Sequence, residues 1–177
     1  MVASMPRIHD MDIPEEFYLV IQKPAPLAGM SRPTPGTPWS DLFQLGLRQV
    51  ICLTENQPEY LPKPLTIAGH FPLQDLYQGV SPSDPQRELA LVRQAAGLAT
   101  SLIKQRTGVV VHCAGGTGRT GTVIGCVLRG LGYNSSDILS YFDQLNRLRG
   151  ARHGWPESPW QAEMIRNYVD TPVLHSG

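Results

Sequence analysis

The sequence predicts a single α/β domain: a central, mostly parallel sheet flanked by helices. Three observations carry that expectation. Short apolar runs rich in β-branched residues are separated by longer segments whose apolar residues recur every three or four positions. From Thr66 onward these candidates follow in strand–helix–strand–helix order. Proline and glycine also divide the chain unevenly: 13 of 16 prolines lie at or before Pro85 and 12 of 17 glycines after it. Short elements joined by rigid turns should therefore give way to helices with glycine at turns and special sites. At 177 residues the chain suits one domain with a sizeable core.

Phe17-Tyr18-Leu19-Val20-Ile21 reads as a strand, and Ala25 to Pro38, with four prolines, as loop. Trp39 to Leu47 reads as a short helix with Leu42, Phe43 and Leu47 on one face. Gln49 to Thr54 is a buried-strand candidate and Thr66 to Phe71 a weaker one. Pro85 to Arg106 is the clearest helix: Leu89, Val92, Ala96, Ala99 and Ile103 share a face, and Asp84 before Pro85 is a start signal. Val109-Val110-Val111 reads as the central strand. Helices follow from Thr120 to Arg129 and from two further starts, at Ser135-Ser136-Asp137 and Ser158-Pro159. The expected organisation is a segment 1–24 packed on a domain over 25–170, with a short tail over 171–177.

Composition excludes several classes of function. Fifteen basic and fifteen acidic residues cancel, so no bulk field attracts nucleic acid or an anionic membrane. Any affinity for anions must be local. Cys52, Cys113 and Cys126 are too few and wrongly spaced for a disulfide framework or a zinc site, which suits a reducing compartment. Met1 to Asp10 lacks the apolar core of a secretory leader, and no run approaches the roughly 20 apolar residues of a membrane span. The expectation is a cytoplasmic protein with no metal and no cofactor.

The chemistry concentrates in His112-Cys113-Ala114-Gly115-Gly116-Thr117-Gly118-Arg119-Thr120. A strand running through a glycine-rich loop into a helix presents inward N–H groups and the positive end of the helix dipole, which together make an anion site. Ala114, Gly115, Gly116, Thr117, Gly118 and Arg119 would line it. Cys113 stands at its start, where the field that holds a phosphate also favours a thiolate. Read alone, Cys113 is better explained as a buried strand end. Arg119 lies six residues on. A cation on a helix's first turn is misplaced with respect to the dipole unless an anion is bound, and its planar fork matches two phosphoryl oxygens. The Thr120 hydroxyl either bonds the Cys113 sulfur, helping it leave, or caps the helix. Gly116 to Gly121 also satisfies G-x-G-x-x-G, but too little chain follows for a dinucleotide fold, and no lysine precedes Thr120 as a Walker loop needs.

His-Cys-x5-Arg-Thr resembles the signature loop of the protein tyrosine phosphatase superfamily. The surrounding sequence, from about Leu27 to Tyr168, is similar to its small dual-specificity group, notably the cyclin-dependent-kinase-inhibitor-associated type and its microbial relatives. The resemblance implies a general acid on a preceding loop. His70-Phe71-Pro72-Leu73-Gln74-Asp75 looks like that loop and Asp75 occupies the acid's place, with Asp84 as the fallback. It also implies an orienting role for His112, and a rim at Met30-Ser31-Arg32-Pro33. Gln161 corresponds to a glutamine that places the hydrolytic water in some members, though Ser158-Pro159-Trp160-Gln161 is equally a capping box. Arg149 and Arg152 either extend a positive rim or are simply solvated. Cys52 and Cys126 read as core.

The implied activity is hydrolysis of a phosphomonoester through a phosphocysteine, on a phosphorylated protein or peptide, by a monomer with no nucleic-acid or membrane partner. The alternatives are a phosphatase of lipid, RNA 5′-phosphate or a small metabolite, and a catalytically silent phosphopeptide-binding module.

Overall fold

The structure, a computed structural model, describes residues 16–150 and 154–170. The expected tail over 171–177, residues 1–15 of the N-terminal segment, and Arg152 lie outside the described residues. Five strands, β1 (Phe17–Ile21), β2 (Leu27–Met30), β3 (Leu47–Cys52), β4 (Thr66–His70) and β5 (Gly108–His112), form one sheet in the order β1-β2-β5-β3-β4. β1 runs antiparallel to β2 at one edge, and the other pairings are parallel. This is the mostly parallel α/β architecture that the patterning predicts.

β5 holds the centre, and all five of its residues are buried. A strand covered on both faces needs apolar residues at every position, hence the unbroken valine run. Val109 and Val111 face a core shared with α2 (Pro85–Lys104), α3 (Gly118–Gly130), α4 (Ser135–Arg149) and α5 (Pro159–Asn167). Val110 faces the opposite core with Leu42 of α1 (Trp39–Gln44), Leu47, Val50 and Leu65. α2 begins as Asp84 and Pro85 predict: the Asp84 carboxylate accepts from Arg87 N at 3.1 Å. Its alanines Ala95, Ala96 and Ala99 are fully buried and let α3 pack close. Every α3 residue from Gly118 to Leu128 is buried, so the helix that starts at the candidate loop is the best-anchored one in the fold.

Three boundaries differ from the sequence reading. Leu27–Met30 lies in the segment read as loop, yet it is an inner strand paired with both β1 and β5. It has no β-branched residue and stands between prolines, so its conformation comes from its two neighbours rather than from propensity. Leu47, expected on α1, is instead fully buried at the start of β3. α3 starts at Gly118, two residues before the expected Thr120.

The parallel register brings the carboxyl ends of β2, β5 and β3 side by side, with Met30 and Cys52 both opposite His112. Chains leaving adjacent parallel strands there open a crevice, which is where such sheets hold ligands.

Candidate active site

The loop after β5 is held open from outside. Ala114 O accepts from Arg32 N at 2.9 Å, and Gly116 O accepts from the Tyr18 hydroxyl at 2.9 Å. Arg149 reaches the same loop from the last turn of α4, donating to Gly115 O at 3.4 Å, Gly116 O at 3.3 Å and Thr117 Oγ1 at 3.2 Å. With the carbonyls of 114, 115 and 116 turned outward, each planar peptide turns the next residue's N–H inward. The result is a bowl of donors at the start of α3, able to hold a tetrahedral oxyanion.

Gly116 is required by this shape. Gly116 has φ +70°, and a Cβ there would lie 2.6 Å from the Met30 carbonyl carbon of β2. At Gly118 a Cβ would collide with the Glu157 carboxylate. Gly116→Ala is expected to lower stability by about 1–3 kcal/mol, from backbone strain together with the clash. It should also displace the loop and depress turnover. Thermal unfolding and initial rates check this; a variant as stable and active as the parent contradicts the geometry.

Cys113 closes β5 and is 2% exposed. Arg119 is also buried, and its guanidinium comes back across the bowl toward the loop after β4. Nη1 donates to Leu73 O at 3.4 Å, and Nη2 lies 3.6 Å from Asp75 Oδ2. Asp75 itself is half exposed, with its Oδ1 accepting from Tyr77 N at 3.1 Å and its own N–H donating to Glu55 at 3.3 Å. The residues picked for oxyanion clamp and acid thus meet, with the acid on the solvent side, while the picked nucleophile starts the loop that carries Arg119.

His112 is buried under the loop. Its Nδ1 lies 3.1 Å from Cys113 O and its Nε2 lies 2.6 Å from the Tyr60 hydroxyl. A carbonyl only accepts, so Nδ1 carries the hydrogen and Nε2 accepts from Tyr60. Burial pushes the His112 pKa down to about 4, which keeps it neutral at pH 7 and preserves that tautomer. Burial also holds the Tyr60 hydroxyl well above its usual range, so it remains a donor.

Other expectations resolve differently. The Thr120 hydroxyl is buried and makes no hydrogen bond, so the expected bond to the Cys113 sulfur is not formed here. Gln161 is buried at the start of α5, and its Oε1 accepts from Glu157 N at 2.8 Å and Ser158 N at 3.3 Å. Its carbonyl therefore serves the helix cap. Asp84 is committed to capping α2. Arg149, read as a rim or solvated residue, is instead buried beneath the loop and stacked over the Tyr18 ring at 4.8 Å. Cys52 and Cys126 are fully buried core residues, and none of the three cysteines is in a disulfide. Among the described residues, no cluster of His, Cys, Asp or Glu could hold a metal, and no helix is long and apolar enough to cross a membrane.

Sequence reasoning missed Tyr18, Tyr60 and Glu88, and it misplaced Arg149. Two of them carried a signal. Arg149 continues the buried stripe Ile138, Phe142, Leu145 of α4, and Glu88 stands one turn before Val92 on the buried face of α2. A charge on an apolar stripe implies a buried partner. Tyr18 and Tyr60 gave none, because nothing local marks a strand or loop tyrosine as a partner for a distant loop.

Residues 16–158 match the family described as Swiss Army Knife protein, DSP-PTPase phosphatase domain. No curated protein sequence matches the chain. Among solved structures the chain is similar to the core catalytic domain of the PP-IP phosphatase SIW14 from S. cerevisiae, at 18% identity and a TM-score of 0.54, covering 96% of this chain and 90% of that one. It is similar to DUSP15 at 15% identity and a TM-score of 0.55, covering 86% and 98% respectively. Kinase associated phosphatase is similar at 19% identity and a TM-score of 0.52, covering 82% and 85%. At these identities the likeness is one of fold.

Proposed function

The chain belongs to the Swiss Army Knife family of DSP-PTPase phosphatase domains and is a cysteine-based phosphatase; from that premise we propose that it dephosphorylates tyrosine and serine or threonine side chains of proteins or peptides. The observation that carries the substrate class is the loop itself. Between Cys113 and Arg119 stand Ala114, Gly115, Gly116, Thr117 and Gly118, none of them charged. A head group bearing several phosphates would need further cations at this mouth, whereas a single phosphomonoester is matched by Arg119 and the inward amides. Beside the loop lies a cleft of about 470 Å³ whose lining includes Arg32, Trp39, Asn56, Glu59 and Tyr60. One cation balanced by one carboxylate, with an aromatic wall and an amide, suits a polypeptide flanking its phosphorylated residue.

The proposed reaction has two steps. The Cys113 sulfur attacks phosphorus, an S–P bond forms, and the ester P–O bond breaks as Asp75 gives its proton to the leaving oxygen. Water then attacks the phosphocysteine and passes a proton to Asp75. The S–P bond breaks and phosphate leaves. Arg119 and the loop amides bear the equatorial oxygens throughout, which is the main electrostatic contribution. His112 and Arg149 hold the loop in shape and take no proton. The unpaired cysteines suit a reducing, cytoplasmic setting, and the proposed enzyme is a monomer.

A substrate panel tests the reading. We expect phosphotyrosine and phosphothreonine peptides to exceed an inositol pyrophosphate, a phosphoinositide and an RNA 5′-phosphate in kcat/KM by about tenfold or more, a margin of roughly 1.4 kcal/mol. A non-protein ester at the head of that order overturns the substrate class, and binding without turnover on every arm would mark a phosphopeptide-binding module.

A further inference from the structure

The loop that carries Asp75 is gripped from behind by the first turn of α2. Gln74 N donates to both carboxylate oxygens of Glu88, at 3.1 and 3.2 Å. Arg87 adds two contacts, Nη1 to Glu88 Oε1 at 3.2 Å and Nη2 to Pro72 O at 3.3 Å. The Gln74 side chain accepts from Ser83 N at 2.8 Å, tying the loop to the turn that precedes α2. On the other side Arg119 donates to Leu73 O and faces Asp75. Pro72, Leu73, Gln74 and Asp75 are thus each held by a named bond.

Glu88 is 2% exposed, on a helix face otherwise filled by Val92, Ala95, Ala96 and Ala99. A carboxylate on an apolar face is costly unless it is hydrogen-bonded and paired. Burial raises its pKa, and the Gln74 amide and Arg87 oppose that shift. Packing alone would be served by an aliphatic residue. What the carboxylate adds is the double acceptor for the amide one residue before Asp75.

We propose that Glu88 is a positioning residue for proton transfer: by anchoring Gln74 N it fixes the loop so that the Asp75 carboxyl stays at the mouth beside Arg119. The proposal rests on the reading of Asp75 as the general acid. The side-chain hydrogen bonds of Glu88 run to Gln74 and Arg87, and it feels the Cys113 loop only through the charge of Arg119. Proton donation needs the donor within hydrogen-bond reach of the leaving oxygen, and a displacement of about 1 Å can cost on the order of 100-fold. Loosening this anchor therefore slows phosphocysteine formation, the step that kcat/KM reports, only for substrates whose leaving group needs the proton; hydrolysis of the phosphocysteine is common to all substrates.

The experiment compares dinitrophenyl phosphate, whose phenolate leaves unaided, with phenyl phosphate, whose leaving oxygen must be protonated. Glu88→Met keeps the stem and fills the space without an acceptor; Glu88→Gln keeps a carbonyl oxygen for Gln74 N. For Glu88→Met we expect kcat/KM on phenyl phosphate to fall about 10- to 100-fold and kcat/KM on dinitrophenyl phosphate less than about threefold. Glu88→Gln should recover most of the loss, and Asp75→Asn should show the same selectivity more steeply. Thermal unfolding of each variant is followed in parallel, and Glu88→Ala replaces the methionine variant if that does not fold. Equal losses on both esters, or none, alongside a selective Asp75→Asn, overturn the role of Glu88 alone. An Asp75→Asn variant without selectivity overturns the acid assignment and the proposal together.

Discussion

Cys113→Ser is expected to abolish turnover of aryl phosphates, by at least about 10⁴-fold in kcat, while leaving the fold and phosphate binding intact. The substitution exchanges one atom at a buried position, so neither packing nor the hydrogen bonds of the loop change. The chemistry changes completely. The nearest ring offers a serine hydroxyl no base: His112, the last residue of β5, turns its Nδ1 to the backbone and its Nε2 to Tyr60, and stays neutral. A hydroxyl in this bowl therefore keeps its proton, whereas a thiol gives it up far more readily. Because Arg119 and the inward amides remain, the variant should still bind inorganic phosphate or a phosphopeptide with near-parent affinity. Initial rates and calorimetric titration measure the two halves separately. Retained turnover above about one part in a thousand sinks the nucleophile assignment, since loss of an acting nucleophile exceeds that. Chelator should leave the parent enzyme's rate unchanged.

Arg119→Lys should lower kcat/KM by about 10²–10³-fold on good and poor leaving groups alike. Lysine keeps the charge but not the planar fork, so it cannot match two phosphoryl oxygens at once. It also loses the Nη1 bond to Leu73 O and the second nitrogen facing Asp75. Both ends of the clamp fail together. A loss of this size on the good leaving group separates this variant from those at Glu88 and Asp75, whose effects fall on the poor one. Steady-state kinetics on the same two aryl esters decides it, and a loss of less than about threefold would remove Arg119 from the oxyanion role.

Much of the site is local in sequence. Cys113 and Arg119 are six residues apart on one strand–loop–helix unit, so spacing, residue type and helix polarity all act within nine residues. The apolar run of β5 and the stripe on α2 are equally local, since a strand covered on both faces and a helix packed on one write their burial into adjacent positions. Asp75 became visible through resemblance to a family, because a general acid delivered from another strand leaves no local trace.

The rest required the chain to be folded. β2 has no strand signature, and its ladder with β1 and β5 is what makes Leu27–Met30 extended. The outward turn of the loop carbonyls is set by Tyr18, Arg32 and Arg149, which are 98, 82 and 33 residues from Gly116, Ala114 and Gly116 respectively. Glu88 and Gln74 meet across 14 residues, by packing of α2 against the loop after β4. Local periodicity reports which face of an element is buried; it does not report which distant group lies against that face. The candidate nucleophile and its clamp could be read from one stretch of chain, whereas the groups that aim the loop and hold the proposed acid were chosen only when the sheet brought its strand ends together.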